Sequence, residues 1–270
     1  MNRMSGIDAW RAVAQDLAGR FAPRAARWDQ DRAYCWDNVA EMRDAGIMGM
    51  TLPTALGGRG ASFLDATVVV EELAKACTLS ARIAVEANMG GVAAVMAYGD
   101  AAQKALAARL VLDGDKPAIC ITEPGAGSDA TAMTTTARRD GDGWRLNGRK
   151  HWITGGGVSK LHLVFARAVE ADGTDLGIGG FLLAPDDAGK MPDGFAIVRH
   201  ERTMGLCGMP EAEIAFDDVA VPEASVLRPP LVPDWILSLA GGGGAVWLTT
   251  LDGALGDLTR TMVAKLLLLV

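Results

Sequence analysis

Between residue 5 and about residue 112, apolar positions recur every three or four residues and alanine is abundant. This spacing places the apolar side chains on one face of a helix, so it predicts a series of amphipathic helices. Two of these helices also have a start signal, because a capping residue is followed three positions later by a residue that reaches back to it. The two pairs are Ser62 with Asp65 and Asp100 with Gln103.

From residue 117 onward the pattern changes. Apolar segments become short, β-branched residues become frequent, and glycine-containing turns separate the segments. Asn147-Gly148 is a strong hairpin signal between two of them. Regularly spaced short strands are typical of a compact antiparallel barrel or sandwich. The predicted strands span 131–139, 144–146, 151–154, 161–168, 180–183, 195–199 and 212–216.

These two patterns predict an α+β multidomain chain with a junction between residues 113 and 117. The tail contains a diproline, four consecutive glycines and a terminal run of leucines. Its apolar stretch 231–251 raises the question of a membrane span, but Pro233, Asp234 and the glycine run argue against one. The predicted domains are an all-α N-terminal domain at 1–116, an antiparallel β-barrel domain at 117–227 and an atypical, short irregular or helical tail at 228–270.

Composition narrows the class of protein. Half of the 270 residues are hydrophobic and 22% are charged, so a packed core is expected and wholesale disorder is not. The formal net charge is −7 and Lys and Arg form no stripe, so nucleic acid is not an expected partner. Neither the four cysteines nor the three histidines have metal-ligand spacing. We therefore predict no metal site, and free thiols in a reducing, cytoplasmic compartment.

Two tracts carry candidate ligand-binding chemistry. The first, 119–129, is an apolar strand that ends in a turn with two glycines and with the hydroxyls of Thr122 and Ser128 at its rim. The second, 146–155, delivers an indole and a further hydroxyl. Glycines let a backbone approach a flat ligand closely, and hydroxyls can bond its polar edges. An isoalloxazine is a planar ring with such carbonyl and nitrogen edges.

These tracts and four further motifs make the chain resemble the acyl-CoA dehydrogenase family, from about the first helix to Leu227. A single Gly-Ala-Gly-Ser turn is a weak signal, but several spaced motifs in the family's order are a strong one. The motifs lie at 56–60, 70–74, 122–129, 147–154, 204–206 and 216–222.

The resemblance implies a helical N-terminal domain, a β-barrel middle domain and a second helical bundle, with FAD between the middle domain and that bundle. It implies removal of an α-proton and a β-hydride from an acyl-CoA thioester, with the hydride going to the flavin. The implied partners are an acyl-CoA substrate, electron-transferring flavoprotein as acceptor, and further subunits in a homo- or hetero-oligomer.

The resemblance also assigns seven residues to the cofactor. The two threonines would hydrogen-bond the flavin ring, the tryptophan would pack against it, and the two isoleucines would line its strand. The glycine and the serine would meet the phosphates of the cofactor or the thioester tail. Taken singly, a tryptophan in the barrel core and a threonine on an ordinary strand are simpler interpretations. The seven residues are Ile119, Ile121, Thr122, Gly127, Ser128, Trp152 and Thr154.

The catalytic residues are unknown from the sequence. Glu123 lies next to the loop, but we interpret it as structural because the family's base is a glutamate usually carried by the second bundle. The last glutamate of the chain is Glu223. Two interpretations stay open. The chain is an FAD-dependent acyl-CoA dehydrogenase-like oxidoreductase, truncated and impaired on its own. Alternatively, it is a non-catalytic truncated or frameshifted relative, or a partner subunit, that binds flavin or CoA weakly.

Overall fold

A computed structural model of the chain describes residues 6–227. The predicted tail at 228–270 lies outside the described residues. As predicted, the first part is helical. None of its helices combines the length and the apolar character needed to cross a membrane. The helices are α1 (Gly6–Gln30), α2 (Trp36–Asp44), α3 (Phe63–Ala74), α4 (Thr78–Met89), α5 (Gly91–Tyr98) and α6 (Ala101–Leu112), with short 3-10 helices at Thr54–Leu56, Ala130–Ala132 and Glu223–Ser225.

Both predicted capping boxes are confirmed. The Ser62 hydroxyl accepts from the N–H of Asp65 at 3.1 Å, and the Asp65 carboxylate accepts from the N–H of Ser62 at 2.9 Å. Asp100 and Gln103 exchange the equivalent bonds at 2.8 and 3.0 Å. Each box satisfies N–H groups that the first helical turn leaves without an acceptor, so it fixes where α3 and α6 begin.

The strands after the helices are β1 (Ala118–Cys120), β2 (Thr136–Asp140), β3 (Gly143–Thr154), β4 (His162–Val169), β5 (Asp175–Leu183), β6 (Phe195–His200), β7 (Glu211–Pro222) and β8 (Val226–Leu227). They form one sheet in the order β6-β7-β3-β2-β4-β5-β8, with β1 paired to β4. β1 and β2 run parallel to β4, and the other pairs are antiparallel. The predicted β-rich region is confirmed. Within 6–227 the sheet is open, with β6 and β8 at its ends.

The hairpin predicted at Asn147-Gly148 is wrong, because both residues lie inside the long strand β3. The tight turn lies upstream, between β2 and β3. Gly148 has a φ of 143°, and a Cβ on it would stand 2.7 Å from the Cα of Thr135. The glycine is therefore required by a close approach of neighbouring backbone and not by a turn.

The strand predicted at 131–139 begins only at Thr136. Ahead of it, the N–H groups of Thr134 and Thr135 donate to the carboxylate of Glu123, at 2.7 and 2.9 Å. Because a side chain takes these donors, they do not enter the ladder of the sheet.

Side chains of β4 alternate between two hydrophobic clusters. Val164 and Ala166 enter a cluster with Trp144 on one face of the sheet. Leu163 and Phe165 enter a cluster on the other face, where α5 and α6 pack. A third cluster lies among the helices. Burial of both faces explains why this strand reads as a continuous apolar run.

The change from helix to sheet falls between Leu112 and Ala118, where α6 ends and β1 begins. Asp115 in this connection accepts the N–H of Lys160 at 2.8 Å and the N–H of Leu161 at 3.0 Å. The connection is therefore buried and bonded to the sheet. The division of the chain into the three predicted domains stays a prediction.

Candidate functional site

A buried ion pair fixes the loop that follows β1. Glu123 is 5% exposed, and its Oε1 accepts from Nζ of Lys150 at 2.8 Å. Burial by itself raises the pKa of this carboxyl, but hydrogen bonds from Lys150, Thr135 and Thr134 outweigh burial and lower the pKa to about 2. Glu123 is thus an ionised anchor of the loop, in keeping with its structural interpretation from the sequence.

Beyond this anchor the loop is open. Gly125, Gly127 and Ser128 are exposed, and a Cβ added to either glycine would meet nothing within 4 Å. The hydroxyls of Thr122 and Ser128 have no hydrogen-bond partner among residues 6–227. Backbone and hydroxyls here are therefore accessible to a ligand.

A bulge in β3 turns Trp152 out of the sheet. The register with β7 shifts between Lys150 and Ile153, so that two residues of β3 stand opposite one of β7. Trp152 has a φ of 58° and is 50% exposed. A bulge re-aims side chains, and a left-handed backbone costs about 1–2 kcal/mol at a residue with a Cβ. Trp152 is therefore not part of the core of the sheet, and the structure holds it outward at a cost.

The two tracts identified in the sequence contact each other directly. The N–H of His151 donates to the carbonyl of Thr122 at 2.8 Å. Nζ of Lys150 donates to the carbonyl of Ile121 at 2.8 Å. The indole therefore leaves the sheet beside the open loop. We call the surface formed by Thr122, Gly125, Gly127, Ser128 and Trp152 the open face.

Ile119 and Ile121 lie elsewhere. Both are half-buried and pack against the cluster that joins α5 and α6 to the sheet. A Cβ on Gly91, at the start of α5, would stand 3.3 Å from Cγ1 of Ile119. The structure thus places the two isoleucines at the interface between helices and sheet, and their contact with a flavin stays a prediction.

A stacked pair sets the orientation of the indole. The rings of His151 and Trp152 have centroids 5.0 Å apart and an interplanar angle of 29°. On its far side, Nε2 of His151 lies 2.8 Å from Oε1 of Glu201. The same carboxylate accepts from Arg199 at 2.6 Å. The hydrogen-bonded histidine therefore supports the exposed tryptophan from behind.

His151, Glu201 and Glu213 also place potential metal ligands within 4.8 Å of one another. Two guanidiniums already occupy the Glu213 carboxylate, with Arg149 at 2.9 Å and Arg199 at 3.1 Å. A cation would have to displace these positive charges from the only two carboxylates of the group. The arrangement is therefore an ion-pair network.

Thr154 is bound from two sides. Its hydroxyl donates to the carboxylate of Glu211, with oxygens at 2.9 and 3.1 Å. Its carbonyl accepts from Nζ of the fully buried Lys116 at 3.0 Å. A Cβ on the following residue, Gly155, would come within 1.9 Å of that Nζ. Glycine at this position therefore makes room for the ammonium.

Glu211 and Lys116 belong to a charged cluster between the helices and the sheet, which Arg82 and Glu86 of α4 complete. Arg82 and Glu86 form an ion pair at 2.6 Å. Burial raises the pKa of Glu211, while the Thr154 hydroxyl, Arg82 and Lys116 pull it down. Burial lowers the pKa of Lys116, against the pull of nearby carboxylates.

The sequence interpretation missed these four charged residues. Cross-strand register pairs Glu211 with Thr154, and the packing of α4 brings Arg82 and Glu86 towards them. Neither register nor packing leaves a local motif. The one available signal was the strand pattern after Pro210, in which Glu211 and Glu213 alternate with Ala212 and Ile214.

The residues of the open face fit a flavin. An exposed indole offers a flat partner for a planar ring. Open glycine backbone permits close approach, and the Thr122 hydroxyl, which has no partner among residues 6–227, can serve a carbonyl or nitrogen edge. Gly127 and Ser128, at the end of the loop, can serve a phosphate or a thioester tail.

Comparison with known proteins gives two successive family matches, the acyl-CoA dehydrogenase N-terminal domain at 7–115 and the middle domain at 118–219. The chain is 54% identical over 221 residues to a 3-sulfinopropanoyl-CoA desulfinase of Variovorax paradoxus, covering 82% of this chain and 55% of that protein. It superposes on butyryl-CoA dehydrogenase from Megasphaera elsdenii with a TM-score of 0.75 and 29% identity, covering 84% of this chain and 59% of that chain.

A glutaryl-CoA dehydrogenase from Mycobacterium smegmatis, solved in complex with FADH2, superposes with a TM-score of 0.75 and 25% identity, covering 87% of this chain and 58% of that one. The chain thus spans about half the length of the curated relatives it matches. The two matched regions coincide with the helical part and the sheet described above. On these matches, the chain belongs to the acyl-CoA dehydrogenase family.

Proposed function

We propose that this chain supplies the helical and middle domains of an FAD-holding enzyme that acts on acyl-CoA thioesters. The observation that carries the proposal is the open face, where an exposed indole leaves the sheet next to a loop with accessible glycine backbone and two hydroxyls that have no partner within residues 6–227. The relative solved with FADH2 supports the same cofactor. When bound, FAD would supply a site that takes up or returns a hydride.

The residues of this chain would bind and orient. Trp152 packs against the flavin ring, and Thr122 and Thr154 bond its polar edges. Gly127 and Ser128 contact the phosphates or the thioester tail. The buried ion pair behind the loop touches no ligand in this scheme and keeps the loop rigid, which lowers the entropy lost on binding.

Desulfination is the reaction we favour, because identity to the desulfinase of Variovorax paradoxus is 54%, against 29% to the butyryl-CoA dehydrogenase. In such a reaction the bond between carbon 3 of the acyl group and sulfur breaks. Carbon 3 gains a proton, and the sulfinate leaves with the elements of water as hydrogensulfite. Atoms and charge balance without net oxidation, so turnover needs no electron acceptor.

Oxidation between the α and β carbons of an acyl thioester is the second candidate, supported by likeness to the butyryl-CoA dehydrogenase. Two electrons then leave the substrate, so an acceptor is required. Electron-transferring flavoprotein is our proposed acceptor in that case. A cytoplasmic location and assembly with further subunits belong to the proposal as well, and the four free cysteines are consistent with a reducing compartment.

The deciding experiment uses the purified chain with added FAD. Retained flavin absorbance supports the cofactor proposal. Sulfite released from 3-sulfinopropanoyl-CoA without any acceptor supports desulfination. Reduction of a dye by butanoyl-CoA, dependent on that dye, supports oxidation instead. Bound flavin with neither activity supports the non-catalytic interpretation, and failure to bind FAD contradicts the proposal.

A further inference from the structure

The hydroxyl of Thr154 has its hydrogen directed at Glu211, since an ionised carboxylate only accepts hydrogen bonds. A hydroxyl has one hydrogen and two lone pairs. With the hydrogen committed to Glu211, Thr154 Oγ1 can offer a ligand only a lone pair. Protonation of Glu211 makes the reverse bond available, in which its O–H donates to Thr154 and leaves the threonine hydrogen free for a ligand.

We propose that Glu211 is a positioning residue that sets the direction of the hydrogen bond offered by Thr154 to a ligand. Ionised Glu211 makes Thr154 an acceptor, and protonated Glu211 makes it a donor. The identity of the ligand rests on the proposed function. The state of the Glu211–Thr154 pair does not, because both residues belong to the described sheet.

The groups around Glu211 act on its pKa in opposite directions. Burial disfavours the charged form of Glu211 and raises its pKa, whereas the hydrogen bond from its cross-strand partner Thr154 lowers that pKa. Arg82 from α4 and Lys116 from the connection before β1 favour the carboxylate, whereas Glu86 from α4 favours the acid. Burial therefore lets Glu211 take up a proton at higher pH than an exposed glutamate would, and that proton changes what Thr154 presents.

The direction of the Thr154 hydrogen bond affects flavin binding because the ring has more acceptors than donors at its edges. The oxidised ring carries two ring nitrogens and two carbonyl oxygens that accept, and one N–H that donates. A donor at Thr154 therefore matches more of the ring than an acceptor does. We expect FAD affinity to fall about fivefold, the scale of one neutral hydrogen bond, as the pH rises through the pKa of Glu211.

The test measures FAD affinity by quenching of flavin fluorescence at a series of pH values for three proteins. The wild type should show a single-proton inflection above the ordinary glutamate pKa of 4.5. Glu211→Gln should lose this inflection. Asp217→Asn, at an exposed position of the same strand, is the matched control and should retain it. An unchanged inflection in Glu211→Gln would overturn the proposal while leaving FAD binding intact.

A second measurement needs no ligand. The carboxyl carbon of Glu211 is titrated by NMR in the wild type and in Thr154→Val, which removes the hydroxyl and keeps the shape. Because that hydroxyl stabilises the carboxylate, its loss should move the titration of Glu211 to higher pH. If FAD binds to none of the proteins, the proposed function fails, and this titration still decides the inference. No movement on removing the hydroxyl would refute it.

Discussion

Lys150 has no side-chain exposure, and Glu123 is the only carboxylate among residues 6–227 that pairs with its ammonium. Replacing Glu123 with glutamine leaves a buried charge without a counter-charge. We therefore expect Glu123→Gln to lower the free energy of unfolding by about 3–5 kcal/mol, measured by urea denaturation. Asp193→Asn breaks an exposed pair with Lys190 and should leave the transition nearly unchanged. Equal losses in the two variants would contradict the anchoring role.

The same carboxyl gives a pH dependence of defined sign. Its pKa of about 2 in the fold lies below the ordinary 4.5, so the ionised form contributes stability that is complete above 4.5. This contribution is lost as the pH falls from 4.5 towards 2. Wild type should lose stability across that window, and Glu123→Gln should lose less. The comparison requires urea midpoints at several pH values, and parallel curves would exclude the assignment.

The fold favours the neutral form of His162, whereas it favours the charged form of Glu123. His162 is buried, and neither ring nitrogen has a hydrogen-bond partner among residues 6–227. Burial and then the charge of Lys116 lower its pKa from 6.5 to about 4. The unfolded chain binds a proton first as the pH falls, so stability decreases between 6.5 and 4 by up to about 3 kcal/mol. In His162→Leu, the free energy of unfolding should change less than in wild type between pH 6.5 and 4. A curve for His162→Leu that still follows wild type between 5 and 6.5 would show that another group titrates there.

At the scale of elements, the bulge of β3 allows the contributions of Trp152 to stability and to ligand binding to be measured separately. Glycine adopts a φ of 58° without strain, so Trp152→Gly should leave the free energy of unfolding unchanged or raise it by about 1 kcal/mol. The same change removes the flat partner of a ring and should weaken FAD binding up to about tenfold. Trp152→Phe keeps a ring and should bind nearly as wild type. Denaturation and fluorescence titration on the two variants decide between this role and a packing role, which would lower stability.

Local signals in the sequence identified the elements that local chemistry determines. Both capping boxes and the change to short strands depend on neighbours within a few residues, and the structure contains them. Ligand binding by the two tracts stays a prediction. The hairpin predicted from Asn147-Gly148 was wrong because the glycine is required by the close approach of the Thr135 backbone. Glu211 was missed for the same reason, since its contact with Thr154 depends on the register between β3 and β7. Contacts across strands leave no spacing rule within one segment.

At the scale of the molecule, the helical part and the sheet match separate family domains, yet they share one hydrophobic cluster. Gln103 adds a polar link. Its Nε2 donates to the carbonyls of Ala224 and Val226, both at 2.9 Å, while its Oε1 closes the capping box of α6. One side chain thus ties the start of a helix to the end of the sheet.

This shared interface predicts that the two parts unfold together. Exposing the cluster between α5, α6 and the sheet would cost both parts apolar burial, at about 25 cal/mol per Å². Hydrogen exchange in mild urea, followed by mass spectrometry, should therefore give the same opening free energy for peptides from α6 and from β4.

Gln103→Leu removes the amide donors and should lower both values together, because the carbonyls of Ala224 and Val226 lose their partner. Lys104→Leu is the matched control, since Lys104 neighbours Gln103 and makes no side-chain bond within residues 6–227. A fall confined to the α6 peptides would mean that the helical part opens independently of the sheet, and the interface would then not couple them.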